Sequence, residues 1–188
     1  MILVSLSNPM PMPRAVEAAK DHRFFFAEPE DLLRFQEKPE IEITEMDIQR
    51  LRNGISRCMI QMHGKVLAGY SWVWTSKLAY IDDGVYLNLP ESAVYNYKGY
   101  TNPAYRGLGF QGLRHLKLLE MLKEEGVTSL FAFVDRLNTK SLHGVRKSGY
   151  QIIGELVIRH KKGRVLARLS LPEWFWPGKE APPLIMQV

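Results

Sequence analysis

The sequence predicts an α/β protein of the α+β kind, with a mixed central sheet of about seven strands and about four helices. Three observations carry that expectation. Between residues 56 and 101, β-rich runs alternate with turn chemistry and read as a meander. A leucine stripe at 113, 116, 118, 119 and 122 then marks an amphipathic helix. Residues 127–134 (VTSLFAFV) follow as a nearly continuous apolar run, the pattern of a strand buried on both faces.

The elements follow in chain order. Residues 1–13 are apolar and carry Pro9, Pro11 and Pro13; they read as a short strand or an arm. Pro13 suits the first turn of a helix through about Asp21. Phe24, Phe25 and Phe26 form a strand that stops before Pro29, and Asp31 opens a short helix. Thr44, with Asp47 three residues later, resembles a capping box for a second short helix ending near Asn53-Gly54. Residues 57–62 and 66–75 form a hairpin around His63-Gly64-Lys65, while residues 80–90 stay ambiguous. In the run 94–101, strict alternation places Tyr95 and Tyr97 on one face and Tyr100 on the other. Gly126 ends the leucine helix. A short helix over 138–147 stops at Gly149, and residues 150–158 and 165–171 close the fold as a hairpin around Lys162-Gly163. The tail carries Trp174, Phe175 and Trp176.

With 188 residues, 46% hydrophobic and 24% charged, the chain is long enough for one domain with a substantial core. The expected division is an N-terminal arm over 1–21, a domain over 22–171 and a tail over 172–188. The formal charge of +5 favours anionic ligands. Arg159-His160-Lys161-Lys162 is the one basic run; it reads as a solvated turn, and no nucleic-acid partner is expected. A single cysteine, Cys58, lies in an apolar run and reads as core, which fits a reducing compartment. No signal peptide, membrane span or metal-ligand spacing is found, so the expectation is a cytoplasmic protein without a metal.

The chemistry is organised around residues 100–125. An extended run passes through Asn102-Pro103 into Arg106-Gly107-Leu108-Gly109-Phe110-Gln111-Gly112 and then into the leucine helix. Glycines let backbone approach a ligand, and a helix N-terminus presents unpaired N–H groups, so the unit is an anion cradle. Gly107, Gly109 and Gly112 satisfy the GxGxxG spacing of a dinucleotide site, with Asp135 placed to accept a ribose hydroxyl. Against an NAD(P)-binding oxidoreductase stand the five residues between strand and first glycine, and a preceding strand that is polar at alternate positions.

Pro103-x-Tyr105-Arg106-Gly107-x-Gly109 also resembles the acyl-CoA loop of the GNAT N-acetyltransferase superfamily, and Asn138-x-x-Ser141 with Gly149-Tyr150 resembles that family's second motif. The resemblance spans roughly residues 22–171. It implies a GNAT-like single domain whose fourth and fifth strands splay apart, with the pantetheine arm of acetyl-CoA (or another acyl-CoA) in the gap. Backbone groups of Gly99 and Thr101 would pair with that arm. The N–H groups of Arg106, Gly107, Leu108, Gly109, Phe110, Gln111 and Gly112 would hold the pyrophosphate. Asn138 and Ser141 would contact the cofactor's far side, with Lys140 or Arg136 near the ribose phosphate.

Two departures accompany the resemblance. Gln111 stands where the family usually has Gly or Ala, and Val145 stands where many members carry the tyrosine that protonates the leaving thiolate. No carboxylate lies on the strand 94–101 to act as base. Asp135, Tyr95, Ser141, Tyr97 and His143 remain as catalytic candidates; Tyr97 is favoured as a site-lining hydroxyl and His143 as proton donor. The implied activity is an N-acyltransferase acting on an amine of a small molecule or sugar. Alternatives are a longer acyl donor on CoA or on an acyl carrier protein, and a degenerate member that binds CoA without turnover. A homodimer and an acyl carrier protein are the candidate macromolecular partners.

Overall fold

The computed structural model describes residues 1–7, 9, 12–82, 85–161 and 164–170. Strand β1 (Ile2–Leu6) leads into helix α1 (Pro13–Ala18) and strand β2 (His22–Phe26). Helices α2 (Pro29–Gln36) and α3 (Glu45–Arg52) follow, and then strands β3 (Ser56–His63) and β4 (Val66–Trp74). Strands β5 (Leu78–Asp82) and β6 (Val85–Asn88) pair as a small separate sheet, which resolves the ambiguous region. Next come β7 (Ala93–Thr101), α4 (Phe110–Leu122), β8 (Ser129–Val134), α5 (Thr139–Lys147), β9 (Gln151–Lys161) and β10 (Arg164–Ser170). The Lys162-Gly163 turn and the aromatic tail from 171 onward lie outside the described residues.

Local chemistry accounts for the helix ends. The capping box at α3 closes in both directions: Asp47 N–H donates to Thr44 Oγ1 at 3.3 Å and Thr44 N–H to Asp47 Oδ2 at 2.9 Å. Helix α2 begins two residues before Asp31, because Pro29 occupies the first helical position, where its missing N–H costs nothing, and Glu28 and Asp31 form the box.

The main sheet has the order β10-β9-β1-β8-β7-β4-β3-β2, eight strands among the described residues. The strand beyond the expected seven is β1. It pairs antiparallel with β8 on one side and with β9 on the other, so residues 2–6 stand inside the sheet. Among these pairings only β7 with β8 is parallel, which is not the doubly wound sheet of a dinucleotide fold. That parallel pairing runs from Ala93↔Ser129 to Asn96↔Ala132 and stops, although β7 continues to Thr101. Strand β4 stays paired with β7 as far as Gly69↔Thr101. The second half of β7 therefore keeps one neighbour and turns a free edge toward a gap: the splay expected between the fourth and fifth strands.

One expectation about β7 is overturned. The pairing with β4 shifts register between Trp72↔Lys98 and Val73↔Asn96, so Tyr97 is an extra residue on β7. A bulge breaks the two-residue alternation. Tyr97 and Tyr100 consequently pack on the same face, in the cluster built around Tyr70, Trp72 and Cys58 beneath α2 and α3. On the other face, α4 and α5 cover Leu6, Val73, Val94 and Leu130. Cys58 is fully buried, and burial pushes its thiol well above the usual range, which suits a core residue and not a nucleophile. No helix among the described residues is long and apolar enough to cross a membrane.

Candidate functional site

A cleft of about 820 Å³ opens where β7 and β8 part. Its walls come from the free half of β7 (Gly99, Tyr100, Thr101), the loop into α4, the N-terminal part of α4 as far as Arg114, one face of α5 from Asn138 to Ser148, Met12, and Glu40 and Glu42 from the α2–α3 connection. Of the residues singled out in the sequence, it brings together Gly99, Thr101, Arg106, Gly107, Gly109, Phe110, Gln111, Gly112, Asn138, Ser141 and His143. Leu108 is absent from its lining and stands 44% exposed.

The loop has a physical reason for its glycines, and the reason is not the same for all three. Gly107 and Gly109 adopt φ of +79° and +78°, left-handed backbone that other residues resist. Gly109 is the N-cap of α4, and the first intrahelical bond is Leu113 N–H to Gly109 carbonyl. The N–H groups of Phe110, Gln111 and Gly112 thus have no acceptor within the helix and face the cleft end of the dipole. Gly112 is helical. A Cβ there would fall 2.2 Å from Ser148 Oγ and 2.7 Å from Met12 Cε, so this glycine lets α5 and the chain before α1 pack closely on α4. Arg106 folds back, its Nε donating to the Thr101 carbonyl at 3.1 Å.

Asn138 is the N-cap of α5: its Oδ1 accepts from Ser141 N–H at 3.0 Å. The Asn-x-x-Ser spacing is in this chain the geometry of a helix cap, and the cap stands on the cleft wall. Lys140 lines the cleft, whereas Arg136 pairs with Glu155 at 3.5 Å. Asp135 accepts from Leu137 N–H at 2.7 Å and so caps a turn. Val145 is buried in the core beneath α5.

The two favoured catalytic candidates are placed differently. His143 is exposed on the cleft wall. Tyr97 is not part of the lining. Its ring lies among Trp72, Trp74 and Tyr95, burial pushes its hydroxyl up to about 12, and Ser56 is the hydroxyl facing it, outside hydrogen-bonding geometry. Tyr95 is buried in the same group.

Sequence reasoning missed Arg114, Glu40 and Glu42. Arg114 is wholly buried at the floor of the cleft, between α4 and the end of β7. The leucine stripe of α4 hid it, since it sits on that buried face as a polar residue; Gly69, whose Cβ would lie 2.4 Å from Arg114 Nη1, was the available signal. Glu42 has φ +59°, the one non-glycine with positive φ among the described residues, and its carbonyl accepts from Lys98 Nζ. Lys98 Nζ is also paired with the buried Asp47 at 2.7 Å.

No family model matches the chain, and no curated protein matches it. Solved structures do. The chain is similar to an aminoglycoside N-acetyltransferase, AAC(6')-Iy, in complex with CoA, at a TM-score of 0.57 and 14% identity, over 76% of this chain and 99% of that one. It is similar to a GNAT-family protein from Desulfovibrio desulfuricans at 0.56 and 13%, over 79% and 95%. The chain has the GNAT fold. An aminoglycoside acetyltransferase from an uncultured soil metagenomic sample, in complex with sisomicin, shares the GNAT fold at 0.54 and 12% identity, over 70% and 88%. In this GNAT fold the small β5–β6 sheet follows β4, and β1 stands inside the main sheet.

Proposed function

We propose that the protein is an acyl-CoA-dependent N-acyltransferase, with acetyl-CoA as the donor, acting on the amine of a small molecule or sugar. One observation carries the reading: a single cleft joins a free strand edge to a helix N-terminus whose N–H groups are unpaired. A ligand that is an amide-bearing chain at one end and a diphosphate at the other fits both halves. The loop over 106–112 would hold the diphosphate, Gly99 and Thr101 would hold the arm, and Asn138, Lys140 and Ser141 would border the far side. The bound donor supplies an activated acyl group on sulfur. The chain would supply orientation, backbone N–H groups for the carbonyl, and His143 on the cleft wall as the proton donor for the thiolate.

The acceptor reading rests on the opposite wall, where Glu40 and Glu42 offer carboxylates to a cationic amine. Among the solved structures of similar fold, one aminoglycoside acetyltransferase is in complex with sisomicin and another with the bisubstrate analog CoA-S-monomethyl-acetylneamine, and an amine acceptor for this chain accords with both. Buried Val145, which brings no hydroxyl to the thiolate, favours a second reading in which the protein binds CoA without turnover.

A thermal-shift series separates these. At a hundredfold excess over Kd, a ligand adds about 2.7 kcal/mol and raises Tm by roughly 5–10 °C. Acetyl-CoA or a longer acyl-CoA is expected to do so and NAD and NADP are not; stabilisation by NAD alone overturns the proposal. CoA release across an amine panel then tests turnover, and silence with every amine despite tight CoA binding selects the binding-only reading.

A further inference from the structure

Among the described residues, Arg114 is a buried cation without an anion. Its guanidinium is fully enclosed and meets only neutral acceptors: Ser71 Oγ at 3.4 Å, Gln61 Oε1 at 3.1 Å, the Tyr100 carbonyl at 2.9 Å and Thr101 Oγ1 at 2.7 Å. No ion pair among the described residues includes it. Burying a charge with no opposite charge beside it is costly, so the fold holds this side chain at the expense of stability. The cost is visible in its protonation: burial draws the guanidinium down to about 9, still cationic at neutral pH.

What the side chain reaches is specific. Nη2 takes two groups at the end of β7, in the half that has lost β8. In a strand the N–H and carbonyl of one residue point to the same side and alternate with those of its neighbours. The Tyr100 carbonyl points toward β4, where a Cβ on Gly69 would lie 2.5 Å from it. The main-chain groups of Gly99 and Thr101 therefore face the gap. Thr101 is gripped from both sides, by Arg114 at its hydroxyl and by Arg106 at its carbonyl. Without that grip the last residues of β7 would be an edge bound on one side only, next to a turn.

We propose that Arg114 is a positioning residue that holds the gap-facing edge at Gly99 and Thr101 rigid for the amide-bearing arm of an acyl-thioester ligand, and not for its phosphates. This rests on the acyl-CoA reading above. The fork geometry matters, because one nitrogen must satisfy a carbonyl and a hydroxyl together while the others reach Gln61 and Ser71; an ammonium cannot span the four. The phosphate end has its own donors, the N–H groups in the first turn of α4, which precede Arg114 along the helix.

The test is calorimetric binding of two probes, CoA and ADP, the second carrying the diphosphate without the arm. Arg114→Met is expected to weaken CoA by about tenfold or more while ADP changes by less than about twofold. Arg114→Lys falls between, and Thr101→Val, which leaves the arginine in place, weakens CoA by about three- to fivefold with ADP unchanged. Equal loss of CoA and ADP in Arg114→Met overturns the proposal in favour of a charge that serves the phosphates. Unchanged binding of both makes Arg114 a strut between α4 and the sheet, and overturns it too. If Arg114→Met does not fold, Thr101→Val decides: undiminished CoA affinity overturns the proposal. A wild-type protein that binds neither probe overturns the acyl-CoA reading itself, which is a different outcome from a wild type that binds both and a variant that binds them equally well.

Discussion

Two neighbouring basic side chains on α4, Arg114 and His115, are shut away from water, and the second is expected to make the protein acid-sensitive. His115 Nδ1 lies 2.9 Å from Tyr150 OH, while its Nε2 has no partner among the described residues. Burial first, and the Arg114 charge second, draw its pKa from 6.5 to about 3. The folded form thus refuses a proton that the unfolded chain accepts. Stability is full above the unfolded pKa near 6.5 and falls as pH drops from there toward 3, by up to about 1.4 kcal/mol per pH unit. His22, lowered by burial and by stacked His63, adds in the same direction. Urea midpoints at pH 7.5 and pH 5 are expected to differ, and His115→Gln to flatten the difference; a wild-type midpoint independent of pH would refute this. The leucine stripe could not reveal either residue, because hydropathy assigns arginine and histidine to the wet face and only the neighbouring Gly69, Gln61 and Tyr150 make them buriable.

At the scale of elements, the α4–α5 contact shows why a motif can be read and still be misunderstood. The GxGxxG spacing fits two cofactors because two of its glycines serve backbone conformation and the third serves helix packing. Gly112→Ala is expected to lower stability by about 1–3 kcal/mol through overpacking against Ser148 and Met12. Its effect on CoA affinity should follow from displacement of α5, so both fall together; a fully stable variant would show that the contact yields freely. Asn138→Ala removes the α5 cap for about 1 kcal/mol, measurable by chemical denaturation. The β3–β4 hairpin and the α3 capping box were legible because each is encoded within a few residues. The β7 bulge was not, since a bulge is a relation between strands, and here it moved Tyr100 onto the face of Tyr97.

For the whole molecule, the sheet has two halves joined along the β7–β8 seam and parted beyond it. Hydrogen exchange with saturating acetyl-CoA should slow the amides of residues 99–112 and 138–148 and leave β2 and β3 unchanged; protection spread evenly over the sheet would contradict a ligand seated in the gap. The order of the main-sheet strands and the helices from 22 onward was readable, whereas the β5–β6 pair and the seat of β1 were not. Its partners are Val134 for Ile2 on one side and Glu155 on the other, and no local pattern announces a neighbour so far along the chain.

That seat has a consequence in time. Strand β1 is synthesised well before its two partners, and the groove that receives it exists only after β8 and β9 have been made. Until then Leu3, Val4 and Leu6, all fully buried in the finished sheet, have nowhere to go. Loop closure over that span is slow, so insertion of β1 is expected as a late step in folding, with the open β8 edge exposed to intermolecular pairing meanwhile. A strand made before its partners is expected to take its seat after them.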